Sequence, residues 1–367
     1  MPVFPLTSPL ARRRFLQGLG LAALPLPALQ SAHALPPKVL EFPRDFGAHP
    51  ELRTEWWYIT GAAQAPGGRE LGFQVTFFRT RVDAAQALRS RFAAKQLIFA
   101  HAAVTDLAGG VLLHDQRIAR QGFELAQASL QDTDLRLDDW TLKRQGPQEA
   151  SRYSAKLPAK DFALELGFAT TQPLLRQGVN GLSRKGPQAS QASYYYSQPQ
   201  LQAQGLIRLR GQSLAVQGRA WLDHEWSDEL LHPEAQGWDW VGMNLADGSA
   251  LTAFRLRRAD GSSLWAGGSW RQPGGTPQNF AADSVRWVPE RWWTSPLTQA
   301  RYPVQWQLDC PAGRFVVRAR LDAQELDSRA STGAVYWEGL SELLSQDKRV
   351  GQGYLEMTGY AAPLRLS

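Results

Sequence analysis

Two carboxylates and an imidazole are adjacent in one short segment, Asp223-His224-Glu225-Trp226. In an extended strand, successive side chains point to opposite faces, so Asp223 and Glu225 share one face and His224 lies on the other. A carboxylic acid that burial keeps protonated can protonate a double bond, and aromatic faces stabilise the resulting cation. The segment therefore predicts a catalytic group of Asp223, His224 and Glu225, or a junction where these acids bind backbone or arginine.

A second acid, Asp239, lies between the tryptophans Trp238 and Trp240. Alternation places Asp239 opposite both indoles, so either the tryptophans or the acid face the interior of the protein. Glu55, two residues before Trp57, occupies a comparable place earlier in the chain. Asp239 is therefore a catalytic candidate, and Glu55, Trp57, Trp238 and Trp240 are candidates for ligand binding. The recurring acid beside tryptophan fits a shared structural role equally well.

Three further side chains complete the predicted ligand-binding set, namely His101, Tyr195 and Trp226. His101 lies in the middle of a predicted strand among small residues, where it either packs in the core or assists proton transfer beside a cavity. Tyr195 is the second of three consecutive tyrosines, so its hydroxyl either enters a pocket or packs on an edge strand.

Signatures of other chemistries are missing from the sequence. The six histidines are spread singly and do not match the His-Glu-x-x-His spacing of a zinc protease, and no Gly-x-Ser-x-Gly nucleophile elbow occurs. We therefore predict neither a metal site nor a cofactor. The basic residues are scattered rather than arranged in a stripe with aromatic residues, which argues against a nucleic-acid partner.

The first 34 residues have the character of an export signal. Three arginines, Arg12 to Arg14, precede a short apolar run and a small-residue cleavage site, and the arginine pair before Phe-Leu is typical of the twin-arginine route. Removing this segment lowers the formal net charge from +6 to +3. No later stretch approaches the length of a membrane span. The sequence thus predicts a periplasmic or secreted protein without a transmembrane segment in the mature chain.

The elements that must position these residues are β-strands. Runs of period two, such as Phe162 to Phe168, alternate apolar with polar or small residues, and Gly-containing turns separate them. The halves also echo each other, since the strand ending Phe78-Arg79 has a counterpart ending Phe254-Arg255. We predict an export signal at residues 1–34, a first barrel domain at 35–230 and a second at 231–367.

Several Trp-rich strings occur along the chain, namely Arg53 to Gly61, Trp221 to Trp226, Gly237 to Trp240, Tyr336 to Gly339 and Gly353 to Tyr360. Together they resemble one known family, the lipocalin-like family of AttH and carotenoid 1,2-hydratase. This resemblance implies an all-β fold of two consecutive calycin-type antiparallel barrels that arose by duplication. It also implies kinship with enzymes that hydrate alkenes and, for members near AttH, a link with an ABC export system.

Two main functional hypotheses follow. The first is a hydro-lyase similar to carotenoid 1,2-hydratase, acting on an isoprenoid or lipid-like substrate with Asp223, Glu225 or Asp239 as the acid. The second is a non-catalytic carrier of an apolar ligand, or an accessory protein of an ABC export system. A third hypothesis is a two-barrel scaffold that contacts a membrane complex. A buried carboxyl that faces an apolar cavity would favour the enzyme, and acids that are all paired would favour the carrier.

Overall fold

The computed structural model describes residues 34–229 and 231–365, and residues 1–33, which contain nearly all of the predicted export signal, lie outside the described residues. The described chain is built of antiparallel β-strands and four single-turn 3-10 helices, Arg44–Phe46, Pro66–Gly68, Asp83–Ala85 and Gln148–Ala150. The predicted all-β fold is confirmed. None of the helices in this part of the chain has the length and hydrophobicity needed to cross a bilayer.

The first sheet contains thirteen strands in the described residues. They are β1 (Thr54–Ala65), β2 (Arg69–Arg81), β3 (Gln96–Asp106), β4 (Val111–Arg120), β5 (Ala126–Ala128), β6 (Asp134–Leu137), β7 (Trp140–Gln145), β8 (Arg152–Pro158), β9 (Phe162–Ala169), β10 (Leu175–Arg176), β11 (Leu182–Arg184), β12 (Ala192–Leu209) and β13 (Gln212–Glu229). Their order is β4-β3-β2-β1-β13-β12-β9-β8-β7-β6-β5, with β10 and β11 on β12. Because β3 and β4 also contact β6, the sheet curls into a nearly closed first barrel.

The second sheet, which we call the second barrel, has ten strands in the described chain. They are β14 (Gly237–Leu245), β15 (Ala250–Arg257), β16 (Ser263–Arg271), β17 (Gln278–Asn279), β18 (Arg286–Thr294), β19 (Arg301–Cys310), β20 (Gly313–Ala319), β21 (Glu325–Ser328), β22 (Ala334–Ser345) and β23 (Lys348–Met357). Their order is β17-β16-β15-β14-β23-β22-β20-β19-β18, with β21 on β22. Each barrel encloses its own apolar core.

The burial pattern along the strands shows where one barrel covers the other. In β8, every second residue is exposed, as expected for a strand with one face in water. Strand β13 starts in the same way but is buried on both faces from Ala220 to Ser227, and all of β15 is buried. The outer faces of these strands therefore lie against the other barrel, and residues 34–365 form one compact unit.

Aromatic side chains fill the space between the barrels. Tyr58 and Trp221 of the first barrel pack against Trp240 of the second, with ring centroids 5.5 and 6.4 Å from Trp240 respectively. Glycine makes this approach feasible, because a Cβ at Gly242 would lie 2.4 Å from the Trp240 ring and 3.1 Å from Trp221. A Cβ at Gly72 would likewise lie 2.7 Å from a Tyr354 hydroxyl oxygen of the other barrel.

One buried ion pair recurs at the start of both barrels. Glu55 on β1 is paired across the sheet with Arg79 on β2, and Arg79 Nε donates to Glu55 at 2.8 Å. Asp239 on β14 is paired with Arg255 on β15 in the same way, at 2.7 Å. The two first strands thus carry an acid, and the two second strands carry its arginine. This correspondence supports the duplication indicated by the sequence.

Replacing Arg79 by methionine should destabilise the protein strongly, because Glu55 would stay buried without its guanidinium partner. We expect a loss of about 3–5 kcal/mol in the free energy of unfolding, measured by urea denaturation. The matched control is Arg314→Met, which breaks an exposed pair with Asp309 and should cost less than about 1 kcal/mol. Equal losses in the two variants would show that the buried ion pair stabilises the protein no more than the exposed one.

Candidate functional site

A cavity of about 270 Å³ lies between the two barrels. Its walls come from β1 to β4, β12 and β13 on one side and from β14, β15, β22 and β23 on the other. Each wall is the outer face of a barrel, so the cavity is separate from both barrel interiors. It lies at the junction where the sequence analysis places the clustered acids.

Aromatic and aliphatic side chains make most of the cavity wall. Two aromatic pairs come from neighbouring strands, Trp56 with Phe78 in the first barrel and Trp240 with Phe254 in the second. The remaining apolar lining consists of Tyr58, Leu97, Phe99, Ile118, Tyr195, Trp238, Leu256, Ala334, Tyr336 and Leu364. Of the residues that the sequence predicts to bind a ligand, Tyr195, Trp238 and Trp240 line this cavity.

Asp223 is a buried carboxyl on this wall. Ser197 Oγ and Trp221 Nε1 donate hydrogen bonds to its Oδ1 at 2.6 and 2.7 Å, and the Tyr195 hydroxyl donates to Oδ2 at 2.8 Å. Burial raises the pKa of Asp223 to about 7, even though these three donors favour the charged form. Near neutral pH the carboxyl is therefore able both to give and to regain a proton.

Glu225, two residues further along β13, has a different environment. Lys185 Nζ lies 2.9 Å from Glu225 Oε1, and Ser193 Oγ donates to the same oxygen. The Lys185 ammonium also lies over the rings of Tyr195 and Phe254, 4.6 and 4.4 Å from their centroids. Asp223 and Glu225 thus share one face of the strand, as predicted, and only Glu225 has a cationic partner in the described residues.

Two further acids, Glu338 and Glu356, face the cavity from the second barrel, where they are neighbours on β22 and β23. Gln74 Nε2 of the first barrel donates to Glu338 Oε2 at 2.8 Å, whereas none of the described residues reaches the buried Glu338 Oε1 in good hydrogen-bond geometry. Burial raises the pKa of Glu338 well above its usual range, and Glu356 adds to the shift. Burial also raises the pKa of Glu356, as do the nearby Asp223 and Glu225.

His101 on β3 joins the two barrels at the edge of the cavity. Its Nδ1 lies 2.8 Å from the Tyr336 hydroxyl, and its Nε2 lies 2.8 Å from Ser331 Oγ. Burial lowers the pKa of His101 to about 3, so the ring is neutral at physiological pH. A neutral imidazole in this position can orient Tyr336 but has no extra proton to supply.

Three predicted site residues lie inside the first barrel instead. His224 stacks on Trp57 at a centroid distance of 4.5 Å, and Trp226 stacks on His49 at 4.0 Å. The alternation of β1 and β13 turns all of them away from the cavity face occupied by Trp56 and Asp223. Catalysis by His224, and ligand binding by Trp57 and Trp226, therefore have no support from the geometry of the inter-barrel cavity.

Glu55 is the centre of a polar cluster at one end of the first barrel. It accepts hydrogen bonds from the His49 backbone at 2.8 Å and from Arg79, and its Oε1 lies 2.7 and 2.9 Å from His49 Nδ1 and His224 Nε2. Burial alone would raise the pKa of Glu55, but its partners His224, His49 and Arg79 hold it well below the usual range. Glu55 is completely enclosed by them, although it borders the cavity.

The same cluster has the spacing of a metal site. The ligand atoms of His49, Glu55 and His224 lie within 4.8 Å of one another. Burial would lower the pKa of His49, but hydrogen bonds to Asp45 and Glu55 raise it, which favours the protonated imidazole. With the Arg79 guanidinium also bound to Glu55, the cluster is balanced by its own cations, and these residues do not fit a metal ion.

Asp239 likewise differs from the sequence expectation that it supplies an acid to a substrate. It faces the interior of the second barrel, opposite Trp238 and Trp240, and accepts hydrogen bonds from Arg255 at 2.7 Å and from the Tyr360 hydroxyl at 2.9 Å. An acid held by arginine in this way is a structural anchor. Of the two alternatives that the sequence left open, the one observed has the acid in the barrel interior and the indoles on the opposite face.

Five residues that line the cavity are not among the site residues predicted from the sequence: Glu338, Glu356, Tyr336, Lys185 and Tyr58. Glu338 and Glu356 do belong to strings that carried the family resemblance, Tyr336 to Gly339 and Gly353 to Tyr360. The signal that could have revealed them is the position of an acid two residues from an aromatic residue on the same strand face, as in Tyr336 and Glu338.

Comparison with known proteins identifies the family. A family model described as AttH-like matches residues 33–360. The chain belongs to the AttH-like family. No protein in the curated collection of characterised proteins matches the chain. Membership in the AttH-like family confirms the resemblance noted in the sequence and, with it, the lipocalin-like character of the two barrels.

Solved structures agree with this assignment. The crystal structure of a candidate AttH from Nitrosomonas europaea is 48% identical, covers 89% of this chain and 99% of its own, and has a TM-score of 0.83. Kievitone hydratase from Nectria haematococca is 13% identical, covers 88% of this chain and 94% of its own, and has a TM-score of 0.68. CghA in complex with Sch210972 is 13% identical, covers 84% and 89%, and has a TM-score of 0.50. The latter two share the fold.

The raised pKa of Asp223 predicts that this residue makes the protein less stable as the pH rises. The carboxyl ionises near 3.8 in the unfolded chain and near 7 in the folded protein. Between these values the unfolded chain gives up its proton first, so increasing pH favours unfolding by roughly 2–4 kcal/mol through this residue. In Asp223→Asn, the free energy of unfolding should fall less between about pH 4 and about pH 8.

Urea denaturation at a series of pH values measures this difference. The control is Glu165→Gln, an exposed acid on β9, which should keep the pH dependence of the original protein. If Asp223→Asn and the original protein have parallel profiles, Asp223 is ionised in the folded protein throughout this range, and the burial argument is wrong.

Proposed function

We propose that this member of the AttH-like family is an exported hydratase that binds an apolar, unsaturated small molecule of isoprenoid or lipid-like type between its barrels. The observation that carries the proposal is Asp223, a buried carboxyl with a pKa of about 7 on the wall of an aromatic cavity. A general acid works best when its pKa is near the pH at which it operates. The predicted export signal supports a location outside the cytoplasm.

The proposed reaction begins with proton transfer from the Asp223 carboxyl to one carbon of the double bond. A C–H bond forms, the π bond breaks, and the neighbouring carbon becomes a cation. The rings of Trp56, Tyr58 and Trp240 face the cavity and can stabilise that cation through their negative faces. The carboxylate left on Asp223 adds electrostatic stabilisation close to where the charge develops.

Water then completes the addition. Its oxygen forms a bond to the cationic carbon, and one of its protons passes to a carboxylate, which restores a neutral product. Asp223 is available for this step because it has just lost its proton, so a single residue can act first as acid and then as base. Glu356 is partly buried and its pKa is also raised, and it can hold the attacking water. The reaction as written requires no cofactor.

Other features of the site are compatible with this chemistry. Kievitone hydratase is named as a hydratase and shares the fold, and CghA was crystallised with the ligand Sch210972. Neither name assigns a substrate to this chain. They support the proposal only in that the same two-barrel architecture can hold a small organic molecule and, in one named case, serve a hydration reaction.

The carrier remains the competing proposal, because the same cavity could hold an apolar ligand without changing it. Its support is the mostly apolar wall. The function of a carrier does not require buried acids without a lysine or arginine partner. Asp223, Glu338 and Glu356 are such acids, because none of the ion pairs in the described chain involves them. Burying such groups is costly, which favours the enzyme.

The test is incubation of the purified protein with a panel of isoprenoid alkenes and prenylated phenols in deuterated water. Mass spectrometry should detect a product heavier by one water, with deuterium on the carbon that Asp223 protonates. Asp223→Asn should lower kcat by about 100-fold or more, since proton donation would be lost. Activity should decrease as the pH rises above about 7, as Asp223 loses its proton.

Glu165→Gln serves as the control, because Glu165 is exposed on the first barrel away from the cavity. Full activity of Asp223→Asn with a substrate found in this way would contradict the proposed acid. If the panel yields no product while native mass spectrometry finds one of its members bound unchanged, the carrier is correct and the hydratase is not.

A further inference from the structure

A second cavity opens at one end of the second barrel, apart from the site between the barrels. It is bordered by the turn between β15 and β16, by the segment before β18 and by β18 itself. Its inner wall is formed by the side chains of Arg255, Arg257, Trp287, Trp306 and Tyr360. None of these five residues lines the inter-barrel cavity, so the second cavity needs its own explanation.

Three hydrogen-bond donors on residues that line this cavity are buried and have no hydrogen-bond partner among the described residues, namely Arg257 Nε, Trp287 Nε1 and Trp306 Nε1. The three residues are 7%, 6% and 0% exposed. Buried polar groups are almost always hydrogen-bonded, because a buried donor or acceptor without a partner costs free energy. Three donors gathered in one cavity, without an acceptor in the described chain, therefore indicate a ligand that brings the acceptor.

The charges around these donors favour an anion. Asp239 forms ion pairs with both arginines, with its Oδ2 at 2.7 Å from Arg255 Nε and 3.8 Å from Arg257 Nε. One buried acid thus faces two buried guanidinium groups, which leaves one positive charge in excess. At the exposed rim, Asp260 and Asp283 accompany Arg286, and solvent screens the one negative charge that is in excess there.

The rest of the lining is apolar and rich in indole rings. Trp287 and Trp306 meet edge to face at 5.6 Å, and the Arg255 guanidinium lies 4.8 Å from the Trp306 ring centroid. Four further apolar side chains, together with Pro289, extend the wall towards the opening: Leu264, Trp265, Val285 and Trp292. A molecule that fits must therefore combine an acceptor group with an apolar body.

We propose that the second barrel binds an amphipathic carboxylate, with the carboxylate at Arg257, Trp287 and Trp306 and the apolar body along the tryptophans near the opening. A single excess positive charge with two neutral indole donors matches a monoanion. A phosphate, with its higher charge, would be expected to require more cations. The site extends the function of the protein beyond the cavity between the barrels and does not depend on the hydratase proposal.

Isothermal titration calorimetry on the full-length protein tests the site directly. The probes are dodecanoate and 2-naphthoate, which present the same carboxylate on an aliphatic and an aromatic body, and dodecanol as the neutral counterpart of the first. We expect one carboxylate bound per chain, with the preferred probe identifying the body, and at least about tenfold weaker binding of dodecanol, since the charge-assisted hydrogen bonds would be lost.

The informative variants are Trp287→Phe and Trp306→Phe, each of which keeps an aromatic ring and removes one N–H. Each substitution should weaken carboxylate binding by about tenfold. Trp293→Phe is the matched control, because Trp293 lies on the same strand but outside the cavity lining, and it should bind normally. Thermal unfolding followed by circular dichroism establishes that each variant is folded.

Three results would overturn the proposal: no binding of either carboxylate, equal binding of dodecanol and dodecanoate, or unchanged affinity in both informative variants. Asp223→Asn separates the two sites. Unaltered carboxylate binding in that variant is expected, whereas loss of binding would locate the carboxylate in the inter-barrel cavity and refute a site in the second barrel.

Discussion

The strict alternation of side chains along β13 is the constraint on which the site depends. From Trp221 to Trp226, the odd-numbered residues point to the other barrel and the even-numbered ones point into the first barrel core. A shift of one residue in pairing would exchange the two sets. The pairing of Tyr58 with Asp223 on the neighbouring strand therefore fixes, at the same time, a barrel core and a cavity wall.

Burial has opposite consequences for two groups of acids in this protein. Glu55 and Asp239 are enclosed with arginine, and their charges stabilise the ends of the barrels. Asp223 and Glu338 are enclosed without a cationic partner among the described residues, so that the same loss of hydration favours their protonated forms. The first group is suited to holding strands in place, and the second is suited to exchanging protons with a bound molecule.

Much of the fold could be predicted from the sequence, because period-two alternation and Trp-rich strings are local signals. The same rule correctly separated Asp223 and Glu225 from His224. Which face meets a cavity was beyond reach, since Trp57 and Trp226 look no different in sequence from Trp56 and Trp240. Glu338 was missed because its pairing with Glu356 and its approach to Gln74 of the other barrel arise only when distant strands assemble.

The contacts between the barrels have a symmetry of their own. Strand β1 contacts β23, and strand β14 contacts β13, while Trp56 pairs with Glu225 in one barrel as Trp240 pairs with Glu356 in the other. This exchange of equivalent surfaces is the geometry of an isologous homodimer. Two identical subunits would have to present identical walls to a ligand. Joining the copies in one polypeptide frees each wall to change alone, so that one side carries Asp223 where its counterpart need not.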